Sequence, residues 1–161
     1  MNAKNTTIAS IDVPQQDDLA KVRSVVAALH TGTPQDELST VTGISKRHTQ
    51  YTLHAARVLG WVMRAGQKWL PTRAGVELLD RPAGSVRERE YCRRTIDQNQ
   101  TIRALAPGLL AGALDIDPLA TRLQSVAGLS ASTAQRRALT LITWRDALAQ
   151  SGPAPQMSLF G

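Results

Sequence analysis

The segment that most constrains the fold of this chain spans residues 41–62 and reads VTGISKRHTQYTLHAARVLGWV. Gly43 lies at a turn between two helical patterns. Ser45 is placed to cap the second helix, because a side-chain oxygen at that position accepts a backbone N–H of the first turn. Gly60 is suited to end the same helix. The pattern therefore predicts a helix over 45–59 that follows a short helix and a tight turn.

The two faces of this predicted helix differ in chemistry. Apolar or small side chains recur at helical spacing on one face, at Ile44, Thr49, Leu53, Ala56 and Leu59. The other face, with the capping serine, carries polar side chains, namely Ser45, Lys46, Arg47, His48, Gln50, Tyr51 and His54. Side chains of this kind can reach phosphates and base edges, arginine being suited to guanine and glutamine to adenine. We therefore predict that these residues bind DNA.

A β-hairpin is predicted directly after this helix. Two short β-prone runs, 61–64 and 67–70, flank the dipeptide Ala65-Gly66. Thr72 then opens a short helix. Upstream, apolar residues recur with helical period over 17–30, and Thr33 with Pro34 at the next position predicts the start of the second helix.

The second half of the chain is also predicted to be helical. Ser85 and Glu88 have the spacing of a capping box at the start of one long helix toward Ala106. Asp117 is the expected cap of a further helix toward residue 127. Ser130 or Ser132 then caps a final helix that runs to residue 150.

An internal repeat relates the two halves of the chain. A shift of 85 residues places 42–45 on 127–130 and Gln50 on Gln135. The repeat predicts a second, helix-turn-helix-like unit whose polar face includes Gln135, Arg136 and Arg137. Two interpretations stay open: the second unit contacts DNA, or it is a helical lid packed on the first.

Positive charge is concentrated in the middle of the chain. Residues 45–103 carry 12 basic and 5 acidic side chains, a net charge of +7, whereas residues 1–44 carry a net charge of −2 and residues 104–161 a net charge of +1. A local cationic excess is typical of proteins that bind polyanions. A solvated basic surface is the alternative interpretation.

This order of elements resembles the winged helix-turn-helix DNA-binding domain over residues 17 to about 79. The resemblance implies that helix 45–59 lies in a major groove and that the hairpin tip contacts DNA backbone or minor groove through Arg64, Gln67 and Lys68. The expected fold class is mainly α, with a small β-hairpin. The stretch STAQRRALTLITW also resembles helix-turn-helix modules attached to bacterial restriction and defence systems. A winged helix used only for protein contacts is the alternative.

No pattern in the sequence indicates an enzyme or a cofactor. The three histidines lack a carboxylate or cysteine at metal-ligand spacing, and there is no Gly-rich phosphate loop or carboxylate cluster. Cys92 stands beside Arg93 and Arg94, which would favour its thiolate, but a packing role is more typical of a lone cysteine. The polar N-terminus, the lack of a long apolar run and the single cysteine predict a cytoplasmic protein without a membrane partner. The expected DNA binding would associate it with the nucleoid.

The last eleven residues read SGPAPQMSLFG. Their two prolines predict an extended, flexible tail. The stretch QMSLF resembles the short motif by which bacterial proteins bind the DNA polymerase sliding clamp, Gln-Leu-Ser/Asp-Leu-Phe. The resemblance implies that the clamp is bound by Gln156, Met157, Ser158, Leu159 and Phe160. A tail folded onto an apolar groove of its own protein, or a frayed chain end, is the alternative.

The predicted organisation has four parts: a disordered N-terminal tail (1–16), a winged helix-turn-helix domain (17–80), a helical domain with the second helix-turn-helix-like unit (81–150) and the flexible tail (151–161). The expected function is non-enzymatic binding of double-stranded DNA together with docking on the sliding clamp, in replication, repair or mobile-element and defence DNA transactions. The alternative is a transcriptional regulator that binds an operator as a homodimer. A protein-only adaptor is a third hypothesis.

Overall fold

The computed structural model describes residues 7–112 and 114–149, which form a mainly helical structure with one two-stranded antiparallel sheet. The helices are α1 (Leu19–His30), α2 (Leu38–Thr42), α3 (Lys46–Val58), α4 (Arg73–Leu79), α5 (Val86–Gln98), α6 (Gln100–Leu105), α7 (Ile116–Ala127) and α8 (Ala131–Ala149). The strands are β1 (Val62–Ala65) and β2 (Lys68–Pro71), and short 3-10 turns cover Ser10–Asp12, Gln35–Glu37 and Leu109–Ala111. The predicted mainly α class with a small hairpin is confirmed.

The start of α2 differs from the prediction. Pro34 has extended backbone angles, and the 3-10 turn Gln35–Glu37 separates it from α2. Thr33 therefore does not cap that helix. By contrast, α3 is bounded as the sequence predicts, because the Ser45 side chain accepts the backbone N–H of His48 and the helix ends one residue before Leu59.

The hairpin turn lies one residue later than predicted. Val62 pairs with Pro71 and Ala65 with Lys68, which leaves Gly66 and Gln67 as the two-residue turn. Gly66 has φ +64°, a value that glycine adopts without steric cost at the first position of such a turn.

The predicted long helix over 85–106 is interrupted at Asn99. Its backbone is extended (φ −76°, ψ 121°), so that α5 ends and α6 begins there. The Asn99 side-chain oxygen accepts the N–H of Ile102 at 2.9 Å, and its amide donates to the carbonyl of Val58 at 2.7 Å. The last carbonyls of a helix have no partner within that helix. Asn99 therefore caps the start of α6 and the end of α3 together.

The caps of the second half are partly as predicted. Ser85 accepts the N–H of Glu88, but the Glu88 carboxylate accepts from the N–H of Gly84 rather than from that of the cap residue. Asp117 lies inside the first turn of α7, whose N-cap position is Asp115, so its predicted capping role is wrong. Ser130 caps α8 by accepting the N–H of Thr133 at 3.3 Å.

Residues 8–16 pack against the helices, which contradicts the predicted disorder for this part of the N-terminal tail. The N–H of Ile8 donates to the Val126 carbonyl at 2.7 Å, and Val13 is completely buried. Asp12 forms an ion pair with Arg57 of α3 at 2.6 Å. The polar composition of this segment suggested a tail. Its polar groups, however, find partners far along the chain.

The buried side chains of both predicted domains form one continuous apolar cluster, which extends from Val26 and Leu53 to Ile102, Leu123 and Trp144. The expected boundary at residue 80 therefore does not separate two cores. Within the described ranges, none of the helices combines the length and hydropathy that a bilayer crossing requires. The five residues of the predicted clamp-binding motif, 156–160, lie outside the described residues.

Candidate nucleic-acid interface

The exposed side of α3, called here the α3 surface, is formed by Lys46, Arg47, His48, Gln50 and Tyr51. The opposite side of the helix packs into the core with its apolar and threonine side chains, as the sequence pattern predicts. The segment Lys46–Val58 contains no acidic residue. The α3 surface therefore presents positive charge that no carboxylate on the same helix neutralises.

The N-terminal end of this surface is held by Ser45. Its hydroxyl accepts the backbone N–H of His48 and also lies 2.9 Å from the Nδ1 atom of that imidazole. Gly43, at φ +76°, ends α2 and turns the chain toward Ser45. Ser45 thus acts on the α3 surface mainly by positioning His48.

Arg47 and Tyr51 form the outermost pair of the α3 surface. The Arg47 Nε donates to the Tyr51 hydroxyl at 3.1 Å, and the guanidinium carbon lies 5.9 Å from the ring centroid. This hydrogen bond raises the pKa of Arg47 and lowers the pKa of Tyr51. The His48 ring meets the same tyrosine edge to face, at 5.8 Å between centroids. The pairing orders Arg47 while its side chain stays in solvent.

A groove of about 720 Å³ is lined by α3, by the hairpin and by the segment that runs from the end of α1 into α2, and is called here the α3–hairpin groove. Lys46 and Gln50 line it from α3, and Gln67 and Lys68 line it from the hairpin together with Trp69. Asp36 is the acidic residue of the lining. Among the described residues, none of the first four side chains has a hydrogen-bond or ion-pair partner. The fold therefore brings together cationic and amide groups that are separated by about 20 residues in the sequence, and leaves them free to bind a ligand.

Trp69 is the residue of this site that the sequence analysis missed. The Arg64 guanidinium carbon lies 5.3 Å from its ring centroid, and the His54 ring meets it edge to face at 5.9 Å. Alternation along β2 provided the signal, because Trp69 is buried between the exposed Lys68 and Leu70. The Trp69 ring thus packs against Arg64, which is predicted to contact DNA.

His54 does not project with the other polar residues of α3. It is half-buried against Trp69, and its Nδ1 atom is buried without a hydrogen-bond partner in the described part of the chain. Burial, and then the nearby charge of Arg57, lowers the pKa of His54. The expectation that His54 lies on the open DNA-facing side is therefore corrected: its ring packs between α3 and the hairpin.

The predicted internal repeat is visible at the two turns. Gly128 has φ +65° between α7 and α8, as Gly43 has φ +76° between α2 and α3, and a serine two residues later caps the following helix in both places. The polar residues of α8 are used differently, however. Gln135 donates to Asp117 at 3.3 Å.

The two arginines of α8 have different surroundings. Arg136 is exposed and donates to Thr133 at 3.2 Å. Arg137 is half-buried and donates through Nη1 to the carbonyls of Ser10 at 2.9 Å and Val13 at 3.1 Å. Burial, followed by the charge of Arg136, lowers the pKa of Arg137. The hydrogen bonds of Arg137 thus anchor the N-terminal segment.

Two arginines near the beginning of α8 act electrostatically on the α3 surface. The charges of Arg137 and Arg136 both contribute to lowering the pKa of Tyr51, after the larger effect of its hydrogen bond with Arg47. The charge of Arg136 therefore acts on Tyr51, although the two residues lie on helices in different halves of the chain.

Cys92 lies outside the α3 surface, on α5, and is buried. Burial, and next the charge of Glu88, raises its pKa to about 12, so the neighbouring arginines in the sequence do not produce a reactive thiolate. Within residues 7–112 and 114–149, no three His, Cys, Asp or Glu side chains are arranged to hold a metal ion. In comparisons with protein-family models, curated proteins and solved structures, nothing matches this chain.

Proposed function

We propose that this chain is a non-enzymatic double-stranded DNA-binding protein that uses α1–α3 and the β1–β2 hairpin as a winged helix-turn-helix. The observation that carries the proposal is the α3–hairpin groove. Lys46 and Gln50 on one wall and Gln67 and Lys68 on the other are unpartnered among the described residues. Lysine contacts phosphates, and glutamine can read a base edge or bind a phosphate oxygen.

In this proposal α3 enters the major groove with its N-terminal half. Lys46, Arg47 and His48 are exposed there, and the Tyr51 hydroxyl holds the arginine in position without burying it. A planar guanidinium held in this way can donate two hydrogen bonds to a guanine edge or to a phosphate. The hairpin then contacts the flanking DNA backbone through Arg64, Gln67 and Lys68.

For the second helix-turn-helix-like unit we propose a supporting role with one phosphate contact. Gln135 and Arg137 donate to residues outside α8, whereas Arg136 is exposed and donates to Thr133 of its own helix. Arg136 is therefore the residue proposed to contact the DNA backbone. The rest of α8 holds the N-terminal segment and supports α3.

Docking on the bacterial sliding clamp through residues 156–160 is the second part of the proposal. It is supported by the likeness of QMSLF to the clamp-binding motif, at four of five positions. Leu159 and Phe160 would be the apolar anchors in the clamp pocket. An ordering cost on binding makes micromolar affinity the expectation. Together the two contacts would bring a cytoplasmic DNA-binding protein to replicating or repaired DNA.

Two measurements on the full chain test the two parts separately. Selection from random double-stranded DNA, followed by binding assays over a series of salt concentrations, should give affinity that falls steeply with salt. Affinity that does not respond to salt would exclude binding through the basic residues of the α3 surface and the hairpin. A palindromic selected site would instead favour the dimeric transcriptional regulator.

The clamp contact is tested by a pull-down on purified bacterial clamp. The wild-type chain should be retained, and the double substitution Leu159→Ala with Phe160→Ala should abolish retention. The matched control replaces Gln150 and Ser151 with alanine, outside the motif. Equal retention of the wild type and the Leu159/Phe160 variant would exclude the motif as the contact.

A further inference from the structure

A second groove, of about 720 Å³, lies on another side of the protein from the α3 surface. It runs between the first half of α1, the first half of α5 and the last turns of α8, and is called here the α1–α5–α8 groove. Small side chains form much of its wall, and Trp61, Leu78, Cys92 and Leu148 supply larger apolar surface. Its volume falls within the range of about 300–1,000 Å³ that is usual for sites that bind small molecules.

Two hydrogen-bond donors of this groove have no partner within the described residues. They are the indole Nε1 of Trp61, a residue that is completely buried, and the Nε of Arg89. Buried polar groups are normally paired, and an unpaired one costs about 1–3 kcal/mol. Both atoms are enclosed by the protein, so a peptide carbonyl in the groove could accept from them only after the side chains around them shift.

The charged groups at the groove are already neutralised in part. Arg23 and Glu88 form an ion pair at 2.7 Å, and Arg23 also donates to the carbonyl of Leu78 at 3.3 Å. Arg23 and Glu88 remain paired with each other when an uncharged apolar segment covers them. Such a segment can therefore bind there without leaving a buried charge unpaired. Residues 150–161 of this chain contain no charged side chain, and three of them are Met157, Leu159 and Phe160.

The end of α8 lies at the groove. Ala147 and Leu148 line the groove, and the helix ends at Ala149. Arg93 of α5 donates to the Leu148 carbonyl at 2.8 Å, which fixes the end of α8 at this place. Leu159 lies ten positions after Ala149, and an extended chain of that length spans up to about 33 Å. The chain after Ala149 is therefore long enough for residues 156–160 to reach the groove.

We propose that the α1–α5–α8 groove binds residues 156–160 of the same chain, with Leu159 and Phe160 in its apolar part. The groove and an external clamp then compete for the same two side chains, a consequence that rests on the clamp docking proposed above. With a short linker, the effective concentration of the segment is about 1 mM. If the separate peptide binds with a Kd of about 100 µM, docking weakens the apparent affinity for the clamp by about tenfold.

The test begins with a fluorescent peptide of residues 151–161 added to the full chain that carries Leu159→Ala and Phe160→Ala. Anisotropy should show saturable binding, because the groove of this variant is vacant. The wild-type chain should bind the same peptide about tenfold more weakly, since its own segment competes. A peptide with the two alanine substitutions should not bind. Absence of saturable binding of the wild-type peptide would overturn the proposal.

A substitution in the groove provides the structural control. Ala147 is exposed at the groove wall, so Ala147→Arg fills the groove without disturbing the core, and it should abolish peptide binding. Ala149→Arg adds the same side chain to an exposed position of α8 that does not line the groove, and it should leave peptide binding unchanged. Equal peptide affinity of the two variants would exclude this groove as the site. Circular dichroism verifies that both variants fold.

Clamp binding distinguishes this inference from the proposed function. Ala147→Arg in the otherwise wild-type chain should strengthen clamp binding by about tenfold, because the segment is released. If the clamp binds no variant while the peptide binds the groove, clamp docking fails and the self-docking site stands. If the clamp binds the Ala147→Arg, Ala149→Arg and wild-type chains equally and the peptide does not bind the groove, the self-docking site fails and clamp docking stands.

Discussion

The indole N–H of Trp144, in the middle of α8, donates to the backbone carbonyl of Gln16 at 2.9 Å in the protein interior. The Gln16 side chain reaches in the opposite direction and donates to the Thr52 hydroxyl of α3 at 2.8 Å. One N-terminal residue therefore connects the two helices that follow the related turns.

Trp144→Phe should lower the free energy of unfolding by about 1–3 kcal/mol, because the buried carbonyl of Gln16 loses its donor. The smaller ring adds a packing loss. Urea denaturation of the full chain measures the change. The control is Trp69→Phe: the indole nitrogen of Trp69 has no partner among the described residues, so no hydrogen bond is lost. Losses of equal size in the two variants would contradict the structural role given to the Trp144 bond.

Asn99→Ala should destabilise the protein by about 1–2 kcal/mol, because it removes the cap of α6 and leaves the Val58 carbonyl without its donor. Asn99→Asp separates the two effects. Aspartate keeps the cap acceptor for Ile102 but brings a carboxylate toward the Val58 carbonyl, so it should also be less stable than wild type. Thermal unfolding of the three proteins tests this, and an Asn99→Asp variant as stable as wild type would show that the Val58 contact contributes nothing.

Lys46→Ala and Gln50→Ala should weaken DNA binding in different ways. Loss of a lysine–phosphate contact weakens binding to all sequences and lowers the salt slope by about 1. Loss of a glutamine–base contact costs about 1–3 kcal/mol only on the preferred sequence. Fluorescence anisotropy on selected and scrambled duplexes distinguishes the two results.

The matched controls for this experiment are Lys21→Ala on α1 and Gln124→Ala on α7, which alter exposed residues outside the α3–hairpin groove. Both should retain wild-type affinity and salt slope. If the control variants lose as much affinity as Lys46→Ala and Gln50→Ala, the groove is not the DNA-binding surface.

Arg136→Ala and Arg137→Ala should differ in their effects: the first should weaken DNA binding and the second should lower stability. Arg137→Ala removes the donor to the Ser10 and Val13 carbonyls and should lower stability by about 1–3 kcal/mol. Arg136→Ala should leave stability within about 0.5 kcal/mol of wild type, as is usual for exposed residues, and should reduce DNA affinity with a lower salt slope. Denaturation and DNA titration of both variants test the assignment. A stable Arg137→Ala protein with weakened DNA binding would reverse it.

Stability should fall in alkaline solution because of Cys92. Burial raises the pKa of this thiol from its usual value of 9.0 to about 12 in the folded protein. Above pH 9 the unfolded chain therefore releases the proton first, and the free energy of unfolding decreases by about 1.4 kcal/mol per pH unit until the folded-state pKa is reached. Urea titrations near pH 8 and near pH 10 should show a larger decrease for wild type than for Cys92→Ala. Equal decreases in the free energy of unfolding of the two proteins would show that the Cys92 thiol is exposed to solvent in the folded protein.

The elements that the sequence alone determined are those with short-range causes. Helix α3 begins at a serine cap, carries its buried residues at helical spacing and ends before a glycine, and all three signals act within a few residues. The same reasoning located the hairpin, the helix after Thr72 and the repeated turn around Gly43 and Gly128. Of the four polar side chains that are predicted to contact DNA and share the α3–hairpin groove, two were selected by their helix face and two through the resemblance to a winged helix. Their unpartnered placement in one groove followed from the fold.

Only the tertiary structure decided how residues far apart in the chain share their polar groups. Asn99 breaks a helix that periodicity would continue, because the Val58 carbonyl needs a donor. In the sequence Arg137 has the position of a DNA contact, but in the structure it donates to the carbonyls of residues 10 and 13. His54 is expected on the exposed face of α3, but its ring packs against Trp69. A buried polar group must find a partner wherever the packed chain offers one. Such partners have no fixed spacing in the sequence, which is why helical and strand patterns could not predict them.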